Sequence, residues 1–166
     1  MAGVVAPVKI EYFHASEYGN GVKVAEEVRR LMAARGVTVN LHHIKDSRPD
    51  AMPPADLYLF SSPGRRGKPI KTMRRFLEAV TLPPGTKCAV LTTEMAPKPD
   101  RRTGQINEAE LARWQRVLPI MNELVQAKGF VNVAQGQIHV MAIKGPLEEG
   151  WQQKVEAFAS RIPIPP

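Results

Sequence analysis

The sequence predicts an α/β fold in which five parallel strands form one doubly wound sheet between two layers of helices. Three observations support this three-layer arrangement. Strand-like and helix-like segments alternate along nearly the whole chain, which favours parallel strands joined by helical crossovers. The length of 166 residues suits one domain. The hydrophobic content of 43% is ordinary for a globular protein. We therefore expect a single domain over residues 1–166, with strand order 2-1-3-4-5.

Short apolar segments predict the five strands, at residues 8–13, 37–41, 56–60, 87–92 and 131–143. Gly136 falls inside the last segment and predicts a bulge or bend there. Residues 94–106 are mostly polar and predict a long loop after the fourth strand. Cys88, the single cysteine, falls within the fourth strand and is expected in the core. One cysteine excludes an internal disulfide, an iron–sulfur cluster and a zinc finger.

Apolar residues at three- and four-residue spacing predict the helices, at residues 19–35, 69–80, 107–129 and 148–161. Trp114 lies on the apolar stripe of the third helix, so we expect it in the core. Pro119 lies inside the same helix and should kink or split it. The prolines at the end of the chain predict an extended tail over about residues 162–166.

The net charge of +7 and the pI of about 9.8 indicate an anionic partner, which could be an acidic protein, a phosphate-bearing ligand or nucleic acid. Nucleic acid is disfavoured because the basic segment lacks interleaved aromatic residues for stacking on bases. No apolar segment approaches the roughly 20 residues that a membrane helix needs. Residues 1–7 lack the basic region and the long apolar region of a signal peptide, so we expect a cytoplasmic protein without a membrane anchor.

The predicted topology indicates where a ligand would bind. In parallel sheets, ligands bind beyond the carboxyl ends of the strands, where the strand order reverses. The loops at that point cover residues 14–21 and 61–68. The first enters a helix N-terminus, where Ser16, Gly19 and Gly21 favour a phosphate group. The alternative is a capped turn that carries no ligand.

The second loop is followed by a strongly basic segment. Pro63 stiffens the loop, and the six cations are Arg65, Arg66, Lys68, Lys71, Arg74 and Arg75. They could bind an anionic ligand or an acidic protein, or they could form a solvated helix face. Elsewhere, the adjacent residues His42 and His43 point to opposite faces of a strand and should not share a metal. No arrangement of catalytic residues can be assigned.

Three segments resemble flavodoxins. Residues 13–25 (FHASEYGNGVKVA) are similar to the first loop of that family, Ser/Thr-x-Thr-Gly-x-Thr before an amphipathic helix. Residues 59–64 (LFSSPG), with 67–69 and 75–77, are similar to the second loop and its helix. Residues 145–151 (GPLEEGW) resemble the segment before the last helix. The resemblance implies a flavodoxin-like domain and a bound FMN.

The resemblance also implies a set of cofactor-binding residues. Around the FMN phosphate it places Ser16, Tyr18, Gly19, Asn20 and Gly21. Along one side of the flavin it places Ser62, Pro63 and Gly64. Along the other side it places Thr93, Glu94 and Met95. Tyr18 and Gly21 stand where the family has the small hydroxyl residue threonine, and Arg65 or Arg66 could compensate. His14 and Glu17 lie in the first loop and complete the candidate set.

The expected function is electron transfer through FMN with a redox protein partner, which the basic charge predicts to be acidic. An electron carrier is favoured over an enzyme. Two alternatives remain open. One is a flavin-free interaction module that binds an acidic protein. The other is an NAD(P)H-dependent flavin or quinone reductase of the same fold.

Overall fold

Five parallel strands form the centre of the molecule. A computed structural model describes residues 8–164. The strands are β1 (Lys9–His14), β2 (Thr38–His43), β3 (Leu57–Arg65), β4 (Lys68–Pro69), β5 (Lys87–Met95) and β6 (Val131–Val140). The sheet order is β2-β1-β3-β5-β6, and the short β4 pairs antiparallel with β3. Counting only the parallel strands, this is the predicted order 2-1-3-4-5.

Alternate residues of the strands feed two separate cores, one on each face of the sheet. In β3, Leu57 and Leu59 point into one core, whereas Tyr58 and Phe60 point into the other. Both pairs are nearly or fully buried, as expected for a sheet that is covered on both faces. Cys88 is fully buried in the second core, as predicted, and burial raises the pKa of its thiol to about 12.

Two helices cover each face. The helices are α1 (Asn20–Ala33), α2 (Lys71–Ala79), α3 (Glu108–Trp114), α4 (Val117–Ala127) and α5 (Trp151–Arg161). The buried faces of α1 and α5 pack on one side of the sheet, and those of α2 and α4 pack on the other. No helix of the described residues 8–164 is both long enough and apolar enough to cross a membrane.

The strands β3 and β5 extend further than the sequence predicted. The segment 61–68, predicted as a loop, continues β3 to Arg65 and turns back into β4. The turn consists of Arg66 and Gly67, with φ of 53° and 75°, as a two-residue hairpin requires. Similarly, β5 includes Glu94 and Met95, which were predicted to begin the polar loop. Both extensions lie at the carboxyl edge of the sheet.

The predicted helix over residues 107–129 is split, as expected, but the break precedes the proline. It falls between α3 and α4, and Pro119 lies in the first turn of α4, where a missing N–H costs little. Trp114 is 70% exposed, so the prediction that it lies in the core is wrong. The break takes α3 off the sheet, and none of the described residues of α3 is buried.

The bulge in β6 also differs from the prediction. The register shift lies opposite Cys88 and Ala89, at Val133, and not at Gly136. Gly136 instead allows a close approach, because a Cβ there would lie 2.9 Å from both Leu91 and Phe158. At the end of the chain, Ile162 has an extended backbone and residues 163–164 belong to no helix or strand, whereas Pro165 and Pro166 lie outside the described residues.

Candidate functional site

A cavity of about 480 Å³ opens at the carboxyl edge of the sheet, beside the ends of β1, β3 and β5. This is the place that the reversal of strand order predicts for a ligand. The volume is within the range of small-molecule sites in proteins. The cavity is lined by Ser16, Glu17, Tyr18, Asn20, Gly21, Pro63, Gly64, Arg65, Arg66, Ile70, Thr93, Met95, Val140 and Ile143. We call it the first cavity.

One wall of the first cavity is the connection between β1 and α1, residues 15–19, which we call the Ser16 loop. Two histidines form hydrogen bonds with the backbone of Ser16. The Ser16 N–H donates to His14 Nδ1 at 3.3 Å, and His43 Nε2 donates to the Ser16 carbonyl at 2.9 Å. The Ser16 hydroxyl oxygen accepts the Gly19 N–H at 3.1 Å. The loop is therefore fixed by contacts on its inner side, which leaves its outer side to the cavity.

The Ser16 loop places the N-terminus of α1 at the wall of the first cavity. Gly19 is the N-cap residue with φ of 91°, and no described side chain caps the helix. The first helical N–H groups are thus available to an acceptor, and the helix dipole favours an anion there. Gly21 permits a close approach, because a Cβ at this position would lie 3.0 Å from Ser16 Cβ. The arrangement can bind a phosphate group.

The other walls are suited to a flat, largely apolar group. Pro63 and Gly64 belong to the β3–β4 hairpin on one side. On the other side, Thr93 and Met95 from the end of β5 meet Val140 from the end of β6. These strand ends form the two sides of a slot beside the N-terminus of α1.

Charged and aromatic groups surround the mouth of the first cavity. An ion pair of 2.6 Å joins Arg65 of the hairpin to Glu17 of the Ser16 loop. Lys144 Nζ lies 5.9 Å from the centroid of the Tyr18 ring, which is half exposed. The Glu17–Arg65 pair connects two walls, and an anion bound nearby would compete with Glu17 for the guanidinium.

Four residues of the predicted site do not line this cavity: His14, Gly19, Ser62 and Glu94. His14 is buried beneath the Ser16 loop and supports it. The buried Ser62 hydroxyl donates to the Pro63 carbonyl and accepts the Ile70 N–H, which stabilises the hairpin. Gly19 acts through the geometry of the helix N-terminus. The remaining predicted residues are brought together on the cavity wall.

Glu94 is a buried carboxyl between β5 and β6, only 1% exposed. Its Oε2 accepts hydrogen bonds from Thr92 Oγ1 at 2.6 Å and from Gln137 Nε2 at 2.7 Å. Its Oε1 has no hydrogen-bond partner among residues 8–164. Burial raises the pKa of the Glu94 carboxyl. The hydrogen bonds from Thr92 and Gln137, the electrostatic effect of His139 and the nearby Gln115 amide offset only part of that rise.

Sequence reasoning missed four residues of the site. Ile70, Val140 and Ile143 line the first cavity, and His43 holds the Ser16 loop. The predicted topology could have identified Val140, because the carboxyl end of β6 lies at the same edge of the sheet as those of β1, β3 and β5. Ile143 lies beyond the strand in an irregular segment, and no pattern in the sequence identifies it.

No group of three or more potential metal-ligating side chains occurs among the described residues. His42 pairs instead with the buried Glu11 and stacks on Phe13, with 4.8 Å between the ring centroids. Burial raises the pKa of Glu11, but hydrogen bonds from His42, Asn40 and Lys9 outweigh it, so the net shift is downward.

The fold is similar to that of flavodoxins of known structure. Flavodoxin 1 from Bacillus cereus has a TM-score of 0.67 and 16% identity, covering 92% of this chain and 95% of its own. Flavodoxin 2 from the same organism has a TM-score of 0.70 and 18% identity, covering 93% and 97%. The rubredoxin oxygen:oxidoreductase from Desulfovibrio gigas, with a TM-score of 0.66 and 13% identity, matches 93% of this chain over 35% of its own length.

No protein-family model matches the sequence, and neither does any curated protein sequence. The structural similarity, together with the strand order, shows a flavodoxin-like fold.

Proposed function

We propose that this protein binds FMN in the first cavity and transfers electrons to or from a redox protein partner. The observation that carries the proposal is the uncapped N-terminus of α1, which opens into a slot between two strand ends at the reversal of strand order. The flavodoxin-like fold supports it, because FMN is the cofactor that the resemblance implies.

The phosphate of FMN fits the polar end of the cavity. The N–H groups of the first turn of α1 supply donors, and the Ser16 hydroxyl can donate while its oxygen accepts the Gly19 N–H. Arg65 and Arg66 add positive charge at the same wall. The sequence has no small Ser or Thr hydroxyl at positions 18 and 21, and a guanidinium can replace such donors because it forms charge-assisted hydrogen bonds.

The flavin ring fits the slot between the strand ends. Pro63 and Gly64 would lie along one side, and Thr93 and Met95 along the other. Apolar walls exclude water and strengthen electrostatic interactions inside the slot. When bound, FMN supplies the electron transfer, whereas the protein supplies binding, orientation and electrostatics.

The partner should present an acidic surface. Exposed cations occur on the β3–β4 hairpin, where Arg65 and Arg66 line the first cavity, and on the first turns of α2, which follows the hairpin. We call this set the basic rim: Arg65, Arg66, Lys68, Lys71 and Arg75. Of these, only Arg65 forms an ion pair with another described residue. Unpaired cations beside a cofactor attract an anionic partner and orient it for electron transfer.

FMN titration of the purified full-length protein tests the proposal. We expect FMN to bind, with quenching of its fluorescence, and to bind much more tightly than riboflavin, which lacks the phosphate. Ser16→Ala should weaken FMN binding by about tenfold or more, since a charge-assisted hydrogen bond contributes about 1.5–3 kcal/mol. Binding of riboflavin should change little.

Ser160→Ala is the matched control, because Ser160 is exposed on α5 and its hydroxyl donates only to the Ala157 carbonyl. It should leave the affinity for FMN unchanged. Equal affinity of wild type for FMN and riboflavin would contradict a phosphate site at the Ser16 loop. Absence of binding by either flavin would exclude the proposal and favour the flavin-free interaction module.

A further inference from the structure

A second cavity of about 510 Å³ lies between the β3–β4 hairpin and the junction of α3 with α4. It is lined mainly by Gly64, Gly67, Glu94, Leu111, Trp114 and Val117. Its walls are largely apolar. Met95 and Arg66 border both cavities, so the second cavity adjoins the first at the hairpin.

The second cavity contains a buried polar group with unused hydrogen-bonding capacity. Glu94 forms part of its wall. The hydrogen bonds from Thr92 and Gln137 both go to Glu94 Oε2, so Oε1 has no hydrogen-bond partner among the described residues. A buried polar atom without a partner is destabilising, so each one in a native structure calls for an explanation. A ligand hydroxyl reaching Oε1 would remove this cost.

The second cavity also has an aromatic edge. Trp114 is 70% exposed, which is unusual for a residue type that is mostly buried. Packing of the core does not explain its position, since the core contains no residue of α3. An indole at the edge of an apolar cavity can stack against a planar ring.

The walls of the second cavity are held firmly in place. The Arg116 N–H donates to the Gly67 carbonyl at 2.7 Å, and Gln115 Nε2 donates to the Met95 carbonyl at 2.7 Å. The junction of α3 with α4 is thereby attached to both the hairpin and β5. A preformed cavity loses less conformational entropy when it binds a ligand.

We propose that the second cavity binds a small aromatic alcohol of the phenol class, with its hydroxyl on Glu94 Oε1 and its ring against Trp114. A hydroxyl suits either protonation state of Glu94, because it can donate to a carboxylate or accept from a carboxylic acid. A phenol has a pKa near that of tyrosine, about 10, and therefore adds no charge to the apolar cavity at neutral pH. The proposal does not depend on flavin binding in the first cavity.

Binding of 2-naphthol to the full-length protein, measured by titration calorimetry, tests the proposal, with 2-methylnaphthalene as a probe of equal size that lacks the hydroxyl. We expect 2-naphthol to bind at least about tenfold more tightly, as one hydrogen bond to a buried group predicts. In nitrogen–proton NMR spectra, the indole N–H of Trp114 should shift and that of Trp151 should not. Equal binding of the two probes would overturn the proposal.

Two exposed residues provide matched variants that should not disturb folding. Trp114 and Ile143 are each 70% exposed, but Trp114 lines the second cavity and Ile143 lines the first. Trp114→Ala should weaken 2-naphthol binding several-fold, and Ile143→Ala should leave it unchanged. The reverse pattern would place the probe in the first cavity and overturn the proposal. Glu94→Met, where it folds, should abolish the preference for 2-naphthol over 2-methylnaphthalene.

Discussion

The backbone of Ser16 is held in position by hydrogen bonds with His14 and His43, and His14 must remain neutral to form its bond. His14 Nδ1 accepts the Ser16 N–H, which it can do only while that nitrogen carries no proton. Burial, followed by electrostatic interactions with His43, His42 and Lys45, lowers the pKa of His14 to about 4. His14 is therefore neutral at physiological pH, and the Ser16 loop is held in place under those conditions.

This pKa predicts how stability depends on pH. The ordinary pKa of histidine is 6.5, so between pH 6.5 and about 4 the unfolded chain binds a proton that folded His14 does not. The free energy of unfolding should therefore fall as the pH falls through this interval, by up to about 3 kcal/mol. His14→Asn keeps a hydrogen-bond acceptor but cannot titrate, so it should lose less stability. Urea unfolding of both proteins at several pH values measures the difference, and parallel curves would contradict the assigned pKa.

The sequence identified Ser16 and the glycines of this loop, because a short polar segment between a strand and a helix has recognisable composition. It did not identify the two histidines as supports. His43 ends β2, and it contacts the Ser16 loop only because β2 pairs with β1 and brings His43 beside His14. Such a contact depends on the strand register, which composition does not reveal.

At the scale of the elements, the β3–β4 hairpin contributes a wall to both cavities. Sequence patterns predicted residues 61–68 as a loop for a physical reason: Pro63 has no N–H and normally argues against the interior of a sheet. In the structure Pro63 is in register with Thr93, and β4 is only two residues long. A strand this short has no detectable periodicity, so the hairpin could not be predicted.

Gly67 should be essential to the hairpin. A Cβ on Gly67 would lie 1.6 Å from the Trp114 carbonyl oxygen, and the backbone there has φ of 75°. Gly67→Ala should therefore destabilise the protein by about 2 kcal/mol or more, from the left-handed backbone and the collision together. Gly36→Ala is the matched control, because Gly36 has φ of 78° and no atom of residues 8–164 lies within 4 Å of its Cβ position. It should cost only about 1 kcal/mol in urea unfolding, and equal losses would show that the contact between Gly67 and α3 is unimportant.

The split between α3 and α4 shows the limit of helical periodicity as evidence. Leu111 and Trp114 continue the apolar spacing of α4, so the pattern predicted one buried stripe. The helix is interrupted at Gln115 and Arg116. The Gln115 side chain donates to the Met95 carbonyl, and the Arg116 N–H donates to the Gly67 carbonyl. These tertiary hydrogen bonds replace those of a continuous helix, and the apolar residues of α3 then border the second cavity.

At the scale of the whole molecule, topology determined more of the site than residue identity did. The alternation of segments predicted the sheet, and the reversal of strand order predicted the position of the first cavity. The lining residues beyond the strand ends were harder to predict, because irregular segments such as the one that contains Ile143 have no periodicity. The net charge of +7 is a property of the entire chain, and only the structure shows that Arg65 and Arg66 line the first cavity.

The basic rim predicts opposite salt effects on two small oxidants of opposite charge. In protein loaded with FMN and then reduced, oxidation by anionic ferricyanide should slow as ionic strength rises, because salt screens its attraction to the rim. Oxidation by cationic hexaammineruthenium(III) should accelerate. Arg66→Glu combined with Lys71→Glu should reverse or abolish both trends in stopped-flow measurements. Arg29→Glu with Lys87→Glu changes the net charge equally, at exposed positions outside the rim, and should affect both rates much less. If the two double variants behaved alike, the net charge of the chain, and not the basic rim, would govern the approach of the two oxidants.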